Sequence, residues 1–537
     1  MRIDGPFGPR PLVYADYVAS GRALTFVEDA VRDLVLPFYG NTHTETSFTG
    51  RETTRLREMA RAAVRRAVGA GPRHAVIFSG SGATGAIDKL IRAMGLYAPA
   101  TLRAKTRGQG EASRPVVFVG PYEHHSNDLQ WREALVDVER VPLDAEGQIC
   151  LDTLERLLVK HEGRERKIGA FSAASNVTGI KTDMRRLAAL LHRHGALFFC
   201  DYAAGAPYMD IDMAESAPGA GDHIDAAFLS PHKFIGGPGA SGLLIADRAL
   251  LCGTVPSIAG GGTVAYVTAD HHVFVADAER REEAGTPNIV GDIRAGIALE
   301  LKSSVGAQEI ERREGVIVDK VMQAFLAEPA IDVLGSPTAS RAGIFAFNIR
   351  AGGKTLHHGF VTALLNDLFG IQARAGCSCA GPYAHDLLAI PAGQAERHEA
   401  LVAGGESLLR PGWVRLGFNY FFNEETVAYI ISAVRFIAQR GADFLPLYEV
   451  DAKAGLWRVV DAPLREAAAI SELGDIWSGK AMPPSTDDAP DFSACLRLAQ
   501  ELADTAGGNA DAQNSLSSEA EALRWFWMPG EAVTTAA

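Results

Sequence analysis

The sequence predicts an α/β protein, a mostly parallel β-sheet covered by helices, followed by a smaller α+β domain. Short apolar runs recur between residues 74 and 247, helix-periodic stretches lie between them, and the rhythm changes from residue 305 onward. At 537 residues the chain is too long for one simple domain, and 47% hydrophobic with 22% charged residues is ordinary globular composition.

In order, the runs are "HAVIFSG" (74–80), "PVVFVGP" (115–121), "KIGAFSAAS" (167–175), "ALFFCDYA" (196–203), "IDAAFLSPHK" (224–233) and "SGLLIAD" (241–247). Each is short, apolar and bounded by turn residues, as interior strands are. Residues 53–69 and 183–195 carry helix periodicity, the second opening on a capping Asp183 and stopping at Gly195. The smaller domain reads as strands in "AGIFAFNIR" (342–350), "GIQARAG" (370–376) and "WVRLGFNYFF" (413–422), then a helix at 424–440. We expect a large domain over 1–304, a small one over 305–440 and a C-terminal extension over 441–537. The polar segment 103–114 reads as a surface loop, and 503–522 as a disordered linker ahead of "RWFWMPG", whose three aromatics suggest a docking patch. No internal repeat is evident.

A formal net charge of −13 argues against nucleic-acid binding, which needs clustered Lys and Arg on phosphates. No run reaches the roughly 18 apolar residues of a membrane span, and the first residues lack the pattern of a secretory leader. We therefore expect a cytoplasmic protein acting on a small molecule, with its six cysteines reduced.

Ligands of open α/β sheets bind beyond the carboxyl ends of the strands, so the residues after each run are the informative ones. They are "SGSGATGAID" (79–88), "YEHHSND" (122–128), "SNVTG" (175–179), "CDYAAG" (200–205) and "SPHKFIGG" (230–237). Singly, each has a plain explanation: a tight turn, a satisfied buried His124, a turn-capping Asp201, a solvated Lys233. Together they are the parts pyridoxal 5′-phosphate needs. A Gly-rich turn entering a helix holds phosphate, a lysine bonds the cofactor, a carboxylate keeps its ring nitrogen protonated, and an imidazole stacks on its face. Arg415, on a strand of the small domain, is placed to fork a substrate carboxylate.

Here the chain resembles the class V, fold-type I pyridoxal-phosphate enzymes, and within them the cysteine desulfurase and selenocysteine lyase group. The resemblance covers most of residues 12–440. It rests on "YADYVAS" (14–20), "GAT" (82–84), "EHHSN" (123–127), "SNVTG", "DYAA" (201–204), "SPHK" (230–233), "EAGTP" (283–287), "RAGCSCA" (374–380) and "VRLGFNYF" (414–421). It implies a seven-stranded, mostly parallel sheet with helices on both faces. It also implies Lys233 as the cofactor-bonding lysine, Asp201 at the pyridinium, His124 on the ring and Asn176 near the phenolic oxygen. Ala83, Thr84, Ser230 and His232 would hold the phosphate. Thr286 would reach the phosphate of another subunit, which implies a homodimer, and Asn41 and His43 resemble substrate-side residues.

Where the family has a glutamine, Ala204 stands, which removes one hydrogen bond to the ring oxygen. Cys377 and Cys379 have only His385 near them in sequence, too few ligands for a metal, and we expect none. The family loop puts its persulfide-forming cysteine directly before Ala, at Cys379. The implied reaction is removal of sulfur from L-cysteine to give alanine and a persulfide on Cys379, with a protein as possible sulfur acceptor. The rivals are another class V enzyme (aminotransferase, epimerase or lyase) with incidental loop cysteines, and a non-catalytic sulfur-handling protein. Cys377 reads as an ordinary loop residue or as a relay for the sulfur.

Overall fold

Runs with no polar face cannot lie at a surface, and all six apolar runs form buried strands of one sheet. The computed structural model describes residues 1–42, 44–102, 114–462, 470, 473–478, 489–506, 516–531 and 533. The chain folds as two units, Tyr17–Glu314 with Thr338–Ala342, and Met1–Asp16 with Gly315–Pro337 and Gly343–Ala537.

The larger unit is built on seven strands: β1 (His74–Ser79), β2 (Val116–Val119), β3 (Asp137–Arg140), β4 (Lys167–Ser172), β5 (Leu197–Asp201), β6 (Ala226–Leu229) and β7 (Gly242–Asp247). Their order is β1-β7-β6-β5-β4-β2-β3. All pair in parallel except β7, which runs antiparallel to both neighbours. Helices cover both faces. Ile168 and Ala170 of β4 join Ile87, Leu90 and Trp131 in one core cluster. The intervening Gly169 faces the other way, and a Cβ there would sit 2.4 Å from Leu191 of the helix Met184–Arg193. That helix begins as expected, Asp183 accepting the Arg186 N–H at 3.1 Å. Because the parallel strands share a direction, their carboxyl ends gather Ser172, Asp201 and the residues after Leu229 at one edge.

The small unit has an antiparallel sheet in the order Ile331–Val333, Ile344–Ala351, Trp413–Gly417, Arg374–Gly376. The segment "GIQARAG" divides between two sheets. Ile371–Gln372 pairs in parallel with Val13–Tyr14, and Arg374–Gly376 pairs with Trp413–Gly417. The final aromatics dock here: Thr355 bridges Phe526, and the indole of Trp527 donates to the Ala351 carbonyl at 2.6 Å. Phe526, Trp457 and Cys495, all beyond residue 440, lie in one core with Phe360 and Leu364. Of the segments read as loop and linker, 103–113 and 507–515 lie outside the described residues. The linker read over 503–522 is overturned at both ends, where helices Phe492–Thr505 and Ser518–Leu523 form, their caps Asp491 and Ser517 each accepting a first-turn N–H.

Candidate active site

The turn after β1 is shaped for close approach. Gly82 sits at φ +61°, and a Cβ there would lie 2.7 Å from the Ser230 hydroxyl and 2.8 Å from the His232 ring, so only glycine fits without displacement. From Gly82 the chain enters the helix Gly82–Ala93, whose first N–H groups have no partner one turn earlier and make a natural anion site. The Ala83 N–H donates to the Ser230 hydroxyl at 2.9 Å. The Thr84 and Ser126 hydroxyls lie 2.7 Å apart. Burial first, then the neighbouring Lys233 charge, pull His232 down to about 4, so it is a neutral ring near pH 7. Ala83, Ser230 and His232 thus meet at the Gly82 turn in a cradle that suits a phosphate, with Thr84 one residue further along the helix beside Ser126.

His124 caps the helix His125–Arg132, its Nδ1 accepting the Ser126 N–H at 3.1 Å. That bond occupies the Nδ1 lone pair, so the proton of the neutral ring resides on Nε2. Next to it, the enclosed Glu123 carboxylate accepts from the Ser172 hydroxyl (2.6 Å), the Ser172 N–H (3.2 Å) and the Asn127 amide (2.8 Å). Burial raises Glu123 to about 7 against the pull of those bonds, and the Asp201 charge adds to the rise.

Asp201 ends β5, in register with Ser172 of β4. Its Oδ1 accepts the Ala203 N–H at 2.8 Å. Burial raises its pKa, while that N–H and the Lys233 ammonium pull the other way. Lys233 closes the short turn Pro231–Lys233 just past β6. The chain before the first helix supports this turn, the Gly21 N–H donating to the His232 carbonyl at 2.8 Å. A Cβ at Gly21 would lie 1.8 Å from the Phe234 carbonyl oxygen, so the two backbones touch only because residue 21 lacks a side chain. Asn176 is buried in the loop after β4, and Ala204 is buried after β5.

Other expected residues stand apart. Thr286 is exposed and lines a cavity of about 330 Å³ with Ser81, Lys89 and Asn288. Its loop is pinned by Glu283, which accepts the Phe78 N–H at 2.8 Å and pairs with buried Arg57 and Arg61. Asn41 is exposed, and His43 lies outside the described residues. In the small unit Arg415 is 3% exposed and donates to Asp16 Oδ1 at 2.7 Å, so the guanidinium already holds a carboxylate. Cys377 to Ala380 form a β-turn closed by the Ala380 N–H on the Cys377 carbonyl at 3.2 Å. Its central residues Ser378 and Cys379 have φ +54° and +58°, the left-handed region at both positions of a type I′ turn without glycine. Each such residue costs about 1 to 2 kcal/mol.

Sequence reasoning gave no role to Glu123 or Asp16. The signal was present: a carboxylate directly before the ring-stacking histidine, and another in the apolar "YADYVAS".

The sequence pattern of the aminotransferase class-V family matches residues 13–429. A probable cysteine desulfurase of Halalkalibacterium halodurans is 29% identical over 384 residues, 71% of this chain and 87% of its own length. A cysteine desulfurase of Klebsiella pneumoniae is 28% identical over 377 residues, covering 70% and 85%. Among solved structures, a cysteine desulfurase from Thermococcus onnurineus superposes with a TM-score of 0.64 at 24% identity, over 80% of this chain and 95% of that one. A family match over that span, on a fold whose strand ends carry this cradle, lysine and carboxylate, shows that the chain belongs to the aminotransferase class-V family.

Proposed function

We propose that this chain is a pyridoxal-phosphate-dependent cysteine desulfurase, which takes the sulfur of L-cysteine onto Cys379 and releases alanine. The observation that carries the reading is the gathering of Lys233, buried Asp201 and the Gly82 turn at neighbouring strand ends of one sheet, in a chain whose curated relatives are called cysteine desulfurases. When bound, the cofactor supplies an electron sink for the carbanion left as substrate bonds break.

The protein's residues do the rest. The helix N-terminus with Thr84, Ser230 and neutral His232 holds the phosphate, and Gly82 leaves room for it. Asp201, low in solvent and facing a cation, keeps the ring nitrogen protonated. His124 covers the ring and Asn176 addresses its phenolic oxygen. Lys233 bonds the cofactor and carries protons between substrate carbons. Arg415 takes the substrate carboxylate, for which Asp16 holds its guanidinium in place, and Asn41 and His43 flank the substrate. The Cys379 thiolate attacks the substrate sulfur, so that a carbon–sulfur bond breaks, a sulfur–sulfur bond forms, and a proton completes alanine. A persulfide needs reduced thiols, which fits a cytoplasmic protein handing sulfur to an acceptor protein. We further propose a homodimer in which Thr286 serves the partner's phosphate. Exposed Phe38 and Phe48, whose rings meet edge to face at 5.6 Å, support this together with exposed Phe26, Leu34 and Leu36 on the same stretch of chain, apolar surface that a second copy would cover.

The test is incubation of the cofactor-loaded protein with L-cysteine and joint measurement of alanine and protein-bound sulfane sulfur. The two are expected in equal amounts at first turnover. Pyruvate or a keto acid without sulfane sulfur would assign another class V reaction.

A further inference from the structure

Two histidines and an aspartate of the large unit meet at the amino ends of the strands, the edge opposite the candidate active site. His192 stands in the last turn of the helix Met184–Arg193, and His223 and Asp225 lie on the approach to β6. We propose that these three residues form a zinc site. His192 joins the other two only through the fold, so no spacing in the sequence marks it.

The two imidazole rings stack, with centroids 4.1 Å apart and planes 23° from parallel. His192 has Nδ1 2.7 Å from the Gly221 carbonyl oxygen and Nε2 2.9 Å from Asp225 Oδ2. His223 has Nε2 3.4 Å from Asp225 Oδ1, and its buried Nδ1 lies 3.6 Å from Glu215 Oε1 without a hydrogen bond among the described residues. Each ring therefore turns both nitrogens towards oxygen acceptors. A neutral imidazole carries one N–H and one lone pair, so in either tautomer a lone pair faces an oxygen lone pair. Protonating both rings would relieve this but would stack two like charges 4.1 Å apart. One divalent cation between the two Nε2 atoms and the Asp225 carboxylate relieves it for both rings at once.

The arrangement suits zinc. One donor atom from each residue lies within 4.8 Å of the other two. Zinc bonds of roughly 2.0 to 2.2 Å at tetrahedral angles put ligand atoms about 3.3 Å apart, so small side-chain rotations complete the site. Two imidazoles and a carboxylate are a zinc donor set, with water in the fourth position. With Nε2 on the metal, the Nδ1–H groups point at the Gly221 carbonyl and the Glu215 carboxylate, the outer partners that orient ligating histidines. Those partners are themselves fixed. Glu215 accepts the Gly219 and Gly221 N–H groups at 2.8 and 3.1 Å, and Asp225 Oδ2 accepts the Phe198 N–H at 2.8 Å. The neighbouring Arg73 charge is offset by Asp247, 3.2 Å away. Zinc takes the place of the proton that His192 otherwise shares with Asp225, releases it to solvent, and ties the helix to the strand.

The test uses the cofactor-loaded full chain carrying Cys377→Ser and Cys379→Ser, so that the loop thiols take no metal, with zinc chloride as the probe. Calorimetric titration should show one zinc per chain lost on His223→Gln. That variant, in the same background and with its far-ultraviolet circular dichroism unchanged, should bind at least about 100-fold more weakly, because even an outer partner is worth roughly 10- to 100-fold. Saturating zinc should raise the thermal midpoint of the parent and leave that of His223→Gln in place. Equal affinity in the two proteins, or no binding by the parent, overturns the proposal. Crystals of the wild type grown with zinc decide it whether or not the variant folds. An anomalous peak at the zinc edge bounded by His192, His223 and Asp225 supports the site. Zinc found only elsewhere, or here without binding in solution, overturns it.

Discussion

The Glu123 carboxyl is enclosed and held by Ser172 and Asn127, so its titration is tied to folding. Its folded value of about 7 lies above the ordinary 4.5. Below about pH 4.5 folded and unfolded forms are both neutral and stability is fully present. As pH rises through 7, the unfolded chain sheds the proton first and stability falls, by about 3 kcal/mol in all. Urea midpoints at pH 5 and pH 8 should therefore drop more for the wild type than for Glu123→Gln, and parallel losses would contradict this. At Asp201 the expectation is kinetic. Asp201→Ala should bind cofactor more weakly and turn over about 10²-fold more slowly even when saturated, because the ring nitrogen loses its counter-charge. Retained turnover at saturating cofactor would mean that another group pairs with the ring.

Among elements, the strand–turn–helix unit at Gly82 combines a left-handed residue with two side chains inside van der Waals distance of a Cβ. Gly82→Ala should leave the far-ultraviolet circular dichroism intact yet lower cofactor affinity at least about tenfold, because Ser230 and His232 must move to admit the methyl. Equilibrium titration with the cofactor decides it. At the opposite ends of the strands, His192 has Nδ1 2.7 Å from the Gly221 carbonyl and Nε2 2.9 Å from Asp225. Both nitrogens face acceptors, an arrangement that favours the protonated ring. Burial opposes that charge, but the Asp225 and Gly221 bonds outweigh it and raise the pKa. The contribution is thus complete below pH 6.5, the unfolded value, and fades as pH rises through the folded one. The stability gap between wild type and His192→Gln should shrink from pH 6 to pH 9, and a gap that widens would contradict the assignment.

For the whole molecule, the segment beyond residue 440 contributes to the small unit's core instead of trailing from it. Phe526 is fully buried and its ring lies 4.6 Å from that of His357, while Phe492 stacks on Tyr429 at 4.0 Å. Phe526→Ala should cost about 3 to 5 kcal/mol, the usual range for an emptied aromatic site, and appear as a lowered thermal midpoint. An unchanged midpoint would mean that the terminal aromatics add little to that core.

The order and type of most elements were legible in the residues alone, because unbroken apolar runs must be buried and periodic stretches must cover them. So was the placement of Lys233, Asp201, His124, Ser230 and His232 after strand ends, since parallel strands bring their carboxyl-terminal residues to one edge. β3, Asp137–Arg140, escaped that reading, because it lies half-exposed at one edge of the sheet and carries no apolar run. The direction of β7 against its neighbours escaped it too, since hydrophobicity has no direction. Folding in three dimensions was needed to show that Ser172 and Asn127 enclose Glu123, that Arg415 holds Asp16, and that the terminal aromatics share a core with Phe360. These are meetings between residues far apart in the chain, set by packing and register, which no local pattern encodes. The left-handed turn at Ser378 and Cys379 belongs with them: neither residue prefers that conformation, so the surrounding strand and helix impose it.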